Sequence, residues 1–443
     1  MKVINCLTIA GSDSGGGAGI QADLRSFASL GIHGCSVITC VTAQNTQSVE
    51  SIYKLPLEVI DAQLQAIIHD FRLGAVKTGM LYDAEVIRLV ADRIPRDTKL
   101  VVDPVMAATT GASLAAEDFV EAMMESMLPR STLVTPNISE ASRLAGLRVR
   151  NTEDMKKACV VLRDTGCEYV LIKGGHLPQP TDVLWDGERY KLYEGKRVAG
   201  GTHGSGCTGS ALIASYLALG LGVEKSIAQA KETVTRAIRF SYKPGKGVGV
   251  VNQTFPVVNA LAMGEVIKRL RESLSSLSVP LSLFPEVGIN FVYALPYPSS
   301  IEDVLGVRGR IRVVGNEIRK GCLEFGGSKH VASIVLTAMS FDPKIRSVLN
   351  IGYTPHVVEI CRRLGFSVGS FDRREEPAGK STMEWGTATA IRSMKQVPDV
   401  VYDEGAIGKE PMVRILGTDP EDVAKKLEKI VGALGAEPSY SLP

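Results

Sequence analysis

The 443 residues predict an α/β protein in two parts: a mainly parallel sheet with helices on both faces, then a second, smaller α/β domain. Three observations carry this. Short apolar runs alternate with helical patterns through the first half, the arrangement of a parallel sheet buried between two helical layers. The segment Lys243-Pro-Gly-Lys-Gly-Val-Gly249, with Pro256 behind it, interrupts the pattern and places a boundary that gives domains 1–255 and 256–443. The length itself exceeds what one ordinary core accommodates.

Residues 3–10 are apolar and rich in β-branched side chains, Gly11–Gly19 breaks the run, and Ile20–Leu30 has helical spacing. Strand, loop and helix should follow in turn. Further strands are expected at Val37–Val41, Gly74–Lys77, Leu100–Asp103, Thr132–Thr135 and Tyr169–Lys173, and helices at Leu57–Phe71, Ala84–Arg93, Asp154–Thr165 and Ser226–Tyr242. Beyond the break, a helical pattern at Val257–Leu277 precedes strand-like runs at Phe291–Ala294, Arg310–Val314 and Val400–Tyr402. Helical runs follow at His330–Phe341, Pro355–Leu364 and Asp419–Leu434.

Composition narrows the class of function. A hydrophobic fraction of 45% with 22% charged residues is that of a globular protein. Fifty Lys and Arg against 48 acids give no global basic field for nucleic acid. No stretch approaches a membrane span, and the N-terminal Met1–Ala10 reads as a first strand rather than a leader, because Asp13 and glycines follow it. Eight cysteines without a CxxC pair fit reduced thiols in the cytoplasm.

The most informative stretch is Gly200-Gly-Thr-His-Gly204-Ser-Gly-Cys207-Thr-Gly209, which runs straight into an apolar helical segment. Glycines crowding a helix start leave backbone N–H groups aimed at one spot, where the helix dipole favours a phosphoryl oxygen. Cys207 falls in or beside the first turn, where that field should lower its thiol pKa and let it take a proton from an alcohol. A glycine-rich helix start holding a small buried Cys is the plainer alternative.

Polar motifs elsewhere fall where strands should end. Asp23 follows the loop 11–19, as an acceptor for a substrate hydroxyl or amine or simply a solvated Asp after a tight turn, and Gln44 follows the strand at 37–41, with an amide that matches the edge of an aminopyrimidine or is ordinary turn polarity. Asp103 ends a strand; Asn137 and Glu140 open the next helix, either to help Asp103 hold a hydrated magnesium ion or simply as a capping box. Lys173-Gly174-Gly175-His176 closes another strand with a cation that suits nucleotide phosphates or is equally a solvated strand end.

Seven motifs in order, AGSDSGGGAGIQADL (10–24), GCSVITCVTAQNT (34–46), VKTGML (76–81), VVDPVM (101–106), TPNISEA (135–141), LIKGGH (171–176) and THGSGCTGSA (202–211), resemble the hydroxymethylpyrimidine and hydroxymethylpyrimidine-phosphate kinases of the ribokinase-like superfamily. The resemblance implies ATP and magnesium. It also implies that Gln44 pairs with the pyrimidine, that Asp23 and the backbone at Gly11 and Ala18 help hold it, and that Met80 packs on the ring. Cys207 would be the base, with the N–H groups of Gly204, Ser205 and Gly206 on the transferred phosphoryl. Asp103 and Glu140 would organise magnesium through water, and Lys173 and Thr202 would lie by the nucleotide. Sugar kinases of the superfamily carry Asp where this chain has Cys207, and a pyridoxal kinase is the rival within reach. The chain departs from the family at Thr109-Thr110-Gly111, where Lys-Ser-Gly is frequent, and at Asp13-Ser-Gly15, where Asp-Pro-Ser is common.

In the second half, Gly326-Gly-Ser328 before an apolar helical run could make another phosphate seat, with His330 either placed to move a proton or face a leaving diphosphate, or simply a cap or partly buried filler at a helix start. PEVGINFVYA (285–294), GRI (309–311), FGGSKHVASIVLTAM (325–339), NIGY (350–353), FDRREEP (371–377) and GAIGKEPMVRILG (405–417) resemble the archaeal-type thiamine-phosphate synthase domain. That resemblance implies catalytic Arg310 and His330, with Arg312 close enough to compete for the Arg role. It leaves Lys409, Gly405 and Gly408 as phosphate contacts. Such domains also serve as regulators that bind thiamine phosphates once the catalytic Arg and His are lost; both residue types are present here. The implied partners are small-molecule substrates, namely hydroxymethylpyrimidine, its phosphate and thiazole phosphate, and the implied assembly is a homodimer through the kinase half.

Overall fold

The computed structural model describes residues 3–106, 117–175, 177–315, 317–377, 379 and 381–435; the departure at Thr109-Thr110-Gly111 and His176 lie outside the described residues. The chain divides into two compact units, Met1–Phe255 and Pro256–Pro443.

The first unit is built on nine strands: β1 Asn5–Asp13, β2 His33–Gln44, β3 Val49–Lys54, β4 Leu73–Thr78, β5 Leu100–Val102, β6 Leu133–Val134, β7 Tyr169–Ile172, β8 Thr181–Trp185 and β9 Tyr190–Glu194. Their order across the sheet is β3-β2-β1-β4-β5-β6-β7-β8-β9. From β2 to β7 every pairing is parallel. Successive side chains of a strand point to opposite faces, and here both faces are covered. Leu7, Ile9, Val76, Leu100 and Val102 enter one apolar cluster, while Cys6, Ala75 and Val101 enter the other. Continuous apolar runs are the consequence, which is why these strands were readable.

The edges were not. β3 and the β8–β9 hairpin pair antiparallel; β9 is exposed at four of its five positions, so no apolar run marks it.

The second unit adds β10 Phe291–Ala294, β11 Val304–Val307, β12 Arg312–Val314, β13 Glu317–Arg319, β14 Leu323–Phe325, β15 Ser347–Gly352, β16 Val368–Ser370, β17 Val400–Asp403 and β18 Met412–Gly417. Seven form one sheet, β14-β11-β10-β15-β18-β17-β16, and β12 pairs with β13 in a separate ribbon. All pairings in the larger sheet are antiparallel except β16 with β17. The strand expected at Arg310–Val314 is corrected. Arg310 sits in a turn at φ +70°, and only Arg312–Val314 is extended, with all three residues exposed. β11, β14, β15, β16, β18 and the helix Thr382–Met394 were not anticipated.

Candidate active sites

β1 runs on into the loop Ser14–Ala18 and then the helix Gly19–Ser29. Asp13 closes this loop on itself. Its Oδ1 accepts from Gly15 N at 2.8 Å, and its Oδ2 accepts from Gly17 N at 3.0 Å and Ala18 N at 2.8 Å. Buried His203 approaches the same oxygen at 3.4 Å. Burial opposes the Asp13 charge, yet His203 and the backbone donors outweigh it and hold the carboxyl below its usual range. Ser14 Oγ donates to Gln44 O at 2.7 Å and accepts from Gln44 N at 2.8 Å, so the residue that replaces a common proline fastens this loop to the Gln44 backbone.

The phosphate loop is built by backbone conformation. Gly204 caps the helix Ser205–Ala218 at φ +82°, a left-handed value, and a Cβ there would strike the Gly17 carbonyl oxygen. Only glycine meets both demands. The helix start then presents Ser205, Gly206 and Cys207 to a cleft.

Two cavities meet at Cys207. A small one of about 80 Å³ is walled by Gly11, Ala18, Gln44, Met80 and Lys77; one water needs roughly 10–15 Å³, so this is room for a single small ring. A larger one carries Asp103, Glu140, Lys173, Thr202 and Gly204–Gly206. Ala18, Val105 and Cys207 belong to both. A third, of about 360 Å³, shares Lys173, Thr202 and Gly206 with the second and continues among Ile213, Ile227, Ala230 and Val234. A ring pocket, a phosphoryl seat and an apolar slot therefore lie in series.

One assignment needs correcting here. Asp23 does not line the ring pocket. It is fully buried, and its Oδ2 accepts from Thr8 Oγ1 at 2.6 Å and from Lys77 Nζ at 2.7 Å. Ala18 does line the pocket, with its N–H spent on Asp13 Oδ2.

The thiol expectation is also overturned. Burial pushes Cys207 up to about 11, with Lys77 as the chief opposing influence. The side chain still opens on the cleft, but desolvation of a thiolate exceeds what one helix terminus offsets. Lys77 is the residue that sequence reading missed. Burial works against its charge, and Asp23 with the other anions around it outweighs burial and keeps the amine above its ordinary value. Burial lifts the Asp23 carboxyl; the charged pair is the state that gives both Thr8 and Lys77 an acceptor. A single Lys inside the apolar strand Leu73–Thr78 was the available clue.

Asp103 is buried, with Oδ1 on Lys173 Nζ at 2.8 Å and Oδ2 accepting from Ser210 Oγ at 3.0 Å. Burial opposes its charge, but Lys173 and Lys77 prevail and hold it below the usual range. Glu140 completes a capping box with Asn137 and is pushed by burial up to about 7. Capping and cleft lining thus coexist in one residue.

The second unit holds a cavity of about 730 Å³ lined by Arg310, Arg312, Lys329, His330 and Lys409, within the range typical of ligand sites. The helices Lys329–Phe341 and Thr382–Met394 both begin on it, through Ser328–His330 and Ser381–Met383. Arg310 Nη1 donates to Val287 O at 2.5 Å, and His330 is exposed. Lys409 Nζ is tied to Glu376 at 2.8 Å. Gly408 lines the cavity, whereas Gly405 does not; its N–H goes to Asp403 Oδ1. Asn290, Asn350, Arg373 and Arg414 also line it and were not anticipated. Arg414, alone among apolar neighbours in β18, left the same kind of clue as Lys77.

A family model described as phosphomethylpyrimidine kinase matches residues 13–252, and one described as thiamine-phosphate synthase ThiN matches 267–429. The bifunctional thiamine biosynthesis protein ThiDN of Methanocaldococcus jannaschii is 35% identical over 96% of this chain and 97% of its own length. The chain belongs to this bifunctional thiamine-biosynthesis family. The kinase half of the family member is similar to the hydroxymethylpyrimidine/phosphomethylpyrimidine kinase of Synechococcus elongatus, with 43% identity over 58% of this chain and 100% of that protein. In structure it is similar to a Bacillus subtilis pyridoxal kinase in an ADP complex, at TM-score 0.54 and 35% identity over 57% of this chain and 98% of that one. A Staphylococcus aureus pyridoxal kinase with AMP-PCP and pyridoxal gives TM-score 0.52 at 33% identity, over 57% of this chain and 94% of that one. The bifunctional family thus combines a ribokinase-like unit with a second α/β unit, as the sequence predicted.

Proposed function

We propose that the first unit uses ATP to phosphorylate 4-amino-5-hydroxymethyl-2-methylpyrimidine and then its monophosphate. The second unit joins the resulting diphosphate to thiazole phosphate, giving thiamine phosphate and pyrophosphate. The observation that carries the first step is the position of Cys207 on the wall shared by the ring pocket and the phosphoryl seat.

Gln44 faces the ring pocket with an amide able to donate and accept, which suits an aminopyrimidine edge, and Gly11 and Met80 shape the wall. The hydroxymethyl oxygen attacks the γ-phosphorus, its proton passes to Sγ of the Cys207 thiolate, and the bond to the ADP oxygen breaks with its electron pair leaving on ADP. Lys77, beside Cys207 in the same pocket, stabilises the anion formed at either sulfur or oxygen. The N–H groups of Gly204 and Gly206 receive the transferred phosphoryl, whereas the Ser205 N–H expected to join them already donates to Thr202 O at 3.0 Å; preorganised donors of this kind supply most of the rate. Lys173 and Thr202 lie where the nucleotide phosphates would rest.

Asp103 and Glu140 fit a hydrated divalent cation better than a stripped one. Asp103 is already bonded through both oxygens and Glu140 through one, leaving lone pairs for water. Bound there, magnesium would neutralise charge on the nucleotide phosphates.

In the second unit the C–O bond to the diphosphate breaks, its electron pair leaves on oxygen, and the thiazole nitrogen fills the methylene carbon. Such a step asks for cations rather than a strong base. His330, at the start of the helix Lys329–Phe341, and Arg310, in the turn after β11, are assigned to the leaving diphosphate, with Arg312 at the exposed rim. Lys409 and Gly408 line the same cavity.

All eight cysteines are unpaired, and no helix among the described residues is long and apolar enough to cross a membrane; a cytoplasmic enzyme is the reading these support. A homodimer through the kinase half is supported by the cross-strand pair Val41 and Tyr53, 41% and 68% exposed at the β2–β3 edge. One incubation tests the whole assignment: hydroxymethylpyrimidine, thiazole phosphate, ATP and magnesium with the full chain, followed by mass detection of thiamine phosphate. Each omission should abolish it. Turnover of pyridoxal in preference to hydroxymethylpyrimidine would reject the first half.

A further inference from the structure

The second cavity contains a charge arrangement that Arg310 and His330 do not use. Asp403, fully buried, faces two guanidinium groups at once. Arg373 Nε lies 2.6 Å from its Oδ1 and Arg373 Nη2 lies 3.1 Å from its Oδ2. Arg414 Nη2 reaches the same Oδ2 at 2.7 Å. Arg414 is itself only 2% exposed, stacks over Phe371 at 5.4 Å, and touches Met383 Sδ at 3.8 Å in the first turn of the helix Thr382–Met394. Lys409 joins the group through Glu376, whose other oxygen accepts from Thr382 Oγ1 at 2.5 Å. Three cations thus share two carboxylates at one helix start, a surplus of one positive charge.

A buried surplus of this kind is costly unless an anion arrives to neutralise it. Two guanidiniums held by a single carboxylate are also pre-aligned for planar contact with a phosphate. The other helix start differs. Arg310, Arg312 and Lys329 have no carboxylate partner among the described residues of the cavity wall, and Glu410, the remaining acid there, is taken up by Glu286 N and Val287 N at 2.7 and 3.1 Å. The cavity therefore has two cationic seats of unequal strength, one made by the turn at Arg310, Arg312 and Lys329, the other beside the start of the helix Thr382–Met394.

We infer that the Arg373–Asp403–Arg414 cluster is a binding seat for a phosphate monoester, the phosphate of the thiazole substrate, while the more strongly cationic Arg310 side takes the diphosphate. This rests on the coupling reaction proposed above. The match is one of charge: the weaker seat suits the less charged group, and separating the anions keeps the nucleophile's phosphate away from the one being expelled.

The test uses the full chain supplied with pyrimidine diphosphate, varying each substrate while the other is saturating. Arg373→Met should raise the KM for thiazole phosphate at least tenfold and leave that for the diphosphate within about twofold. The advantage of thiazole phosphate over the unphosphorylated thiazole alcohol should shrink by the same factor, and Arg373→Lys should restore part of it. Lys409→Ala, at an exposed position of the same seat, should shift the same KM more modestly and guards against misfolding of the buried variant. A KM rise confined to the diphosphate, or equal for both substrates, overturns the partition while leaving the coupling reaction standing. Absence of coupling by the unaltered chain overturns the coupling reaction and the seat together.

Discussion

The two units surround phosphate with opposite environments. In the first, the reacting side chain and its cation are packed inside the protein: Lys77 and Asp23 are fully buried, and burial pushes the Cys207 thiol up to about 11. In the second, the diphosphate side of a cavity of about 730 Å³ carries exposed His330 and Arg312, although the Arg373 and Arg414 side chains elsewhere on it are buried. The difference follows the chemistry. Attaching phosphate to an alcohol needs a proton removed where water cannot compete, so the site pays in desolvation. Expelling a diphosphate needs only cations that are present when the bond breaks, and these can stay hydrated until substrate binds.

The strongest way to break this comparison is to silence one unit at a time. Cys207→Ala should lower kcat for phosphorylation roughly a hundredfold or more, the scale of a lost general base, and leave coupling from supplied diphosphate intact. Arg310→Ala and His330→Ala should do the reverse. Steady-state rates of both reactions on each variant check this, and loss of both activities in one folded variant contradicts it.

Stability should separate the units next. Lys77→Met leaves Asp23 as a lone buried carboxylate and should cost roughly 3–5 kcal/mol. Replacing both members by apolar residues should recover most of the urea midpoint but none of the kinase rate. A double variant with normal phosphorylation would reduce Lys77 to a structural role. On the second unit, Lys409→Ala should leave the midpoint almost unmoved.

The pH dependence should separate the units as well. A thiol pKa raised above the neutral range leaves Cys207 protonated there, and its thiolate fraction grows about tenfold per pH unit until the titration near 11 is reached. Phosphorylation kcat/KM should climb with that slope from about pH 7 to 9, while coupling should not share it. A flat kinase profile over this interval would count against thiolate as the starting base.

Much of this was written locally in the chain. Gly204 before Ser205-Gly-Cys207 announced a helix start, and the structure has that turn with Gly204 at φ +82°, although it spends the Ser205 N–H on Thr202 O. Gln44, Met80 and Gly11 reach one pocket because each ends or follows a parallel strand, where such sheets gather ligands. Asp23 was misread because the sequence shows a carboxylate near a loop but not the lysine 54 residues away that claims it. Arg310 was misread as strand because Arg-Ile-Arg-Val-Val alternates like one, whereas its positive φ is a property of the turn.

The sequence by itself determined the parallel inner strands of the first unit, the two glycine-rich helix starts and the chemical types available to each, since periodicity, left-handed glycines and helix termini are local matters. The tertiary structure alone decided which charges meet: Lys77 with Asp23, Lys173 with Asp103, and Arg373 with Arg414 across Asp403. Those encounters depend on strand register and on how deeply each pair is buried, and the same burial turned an expected fall in the Cys207 pKa into a rise.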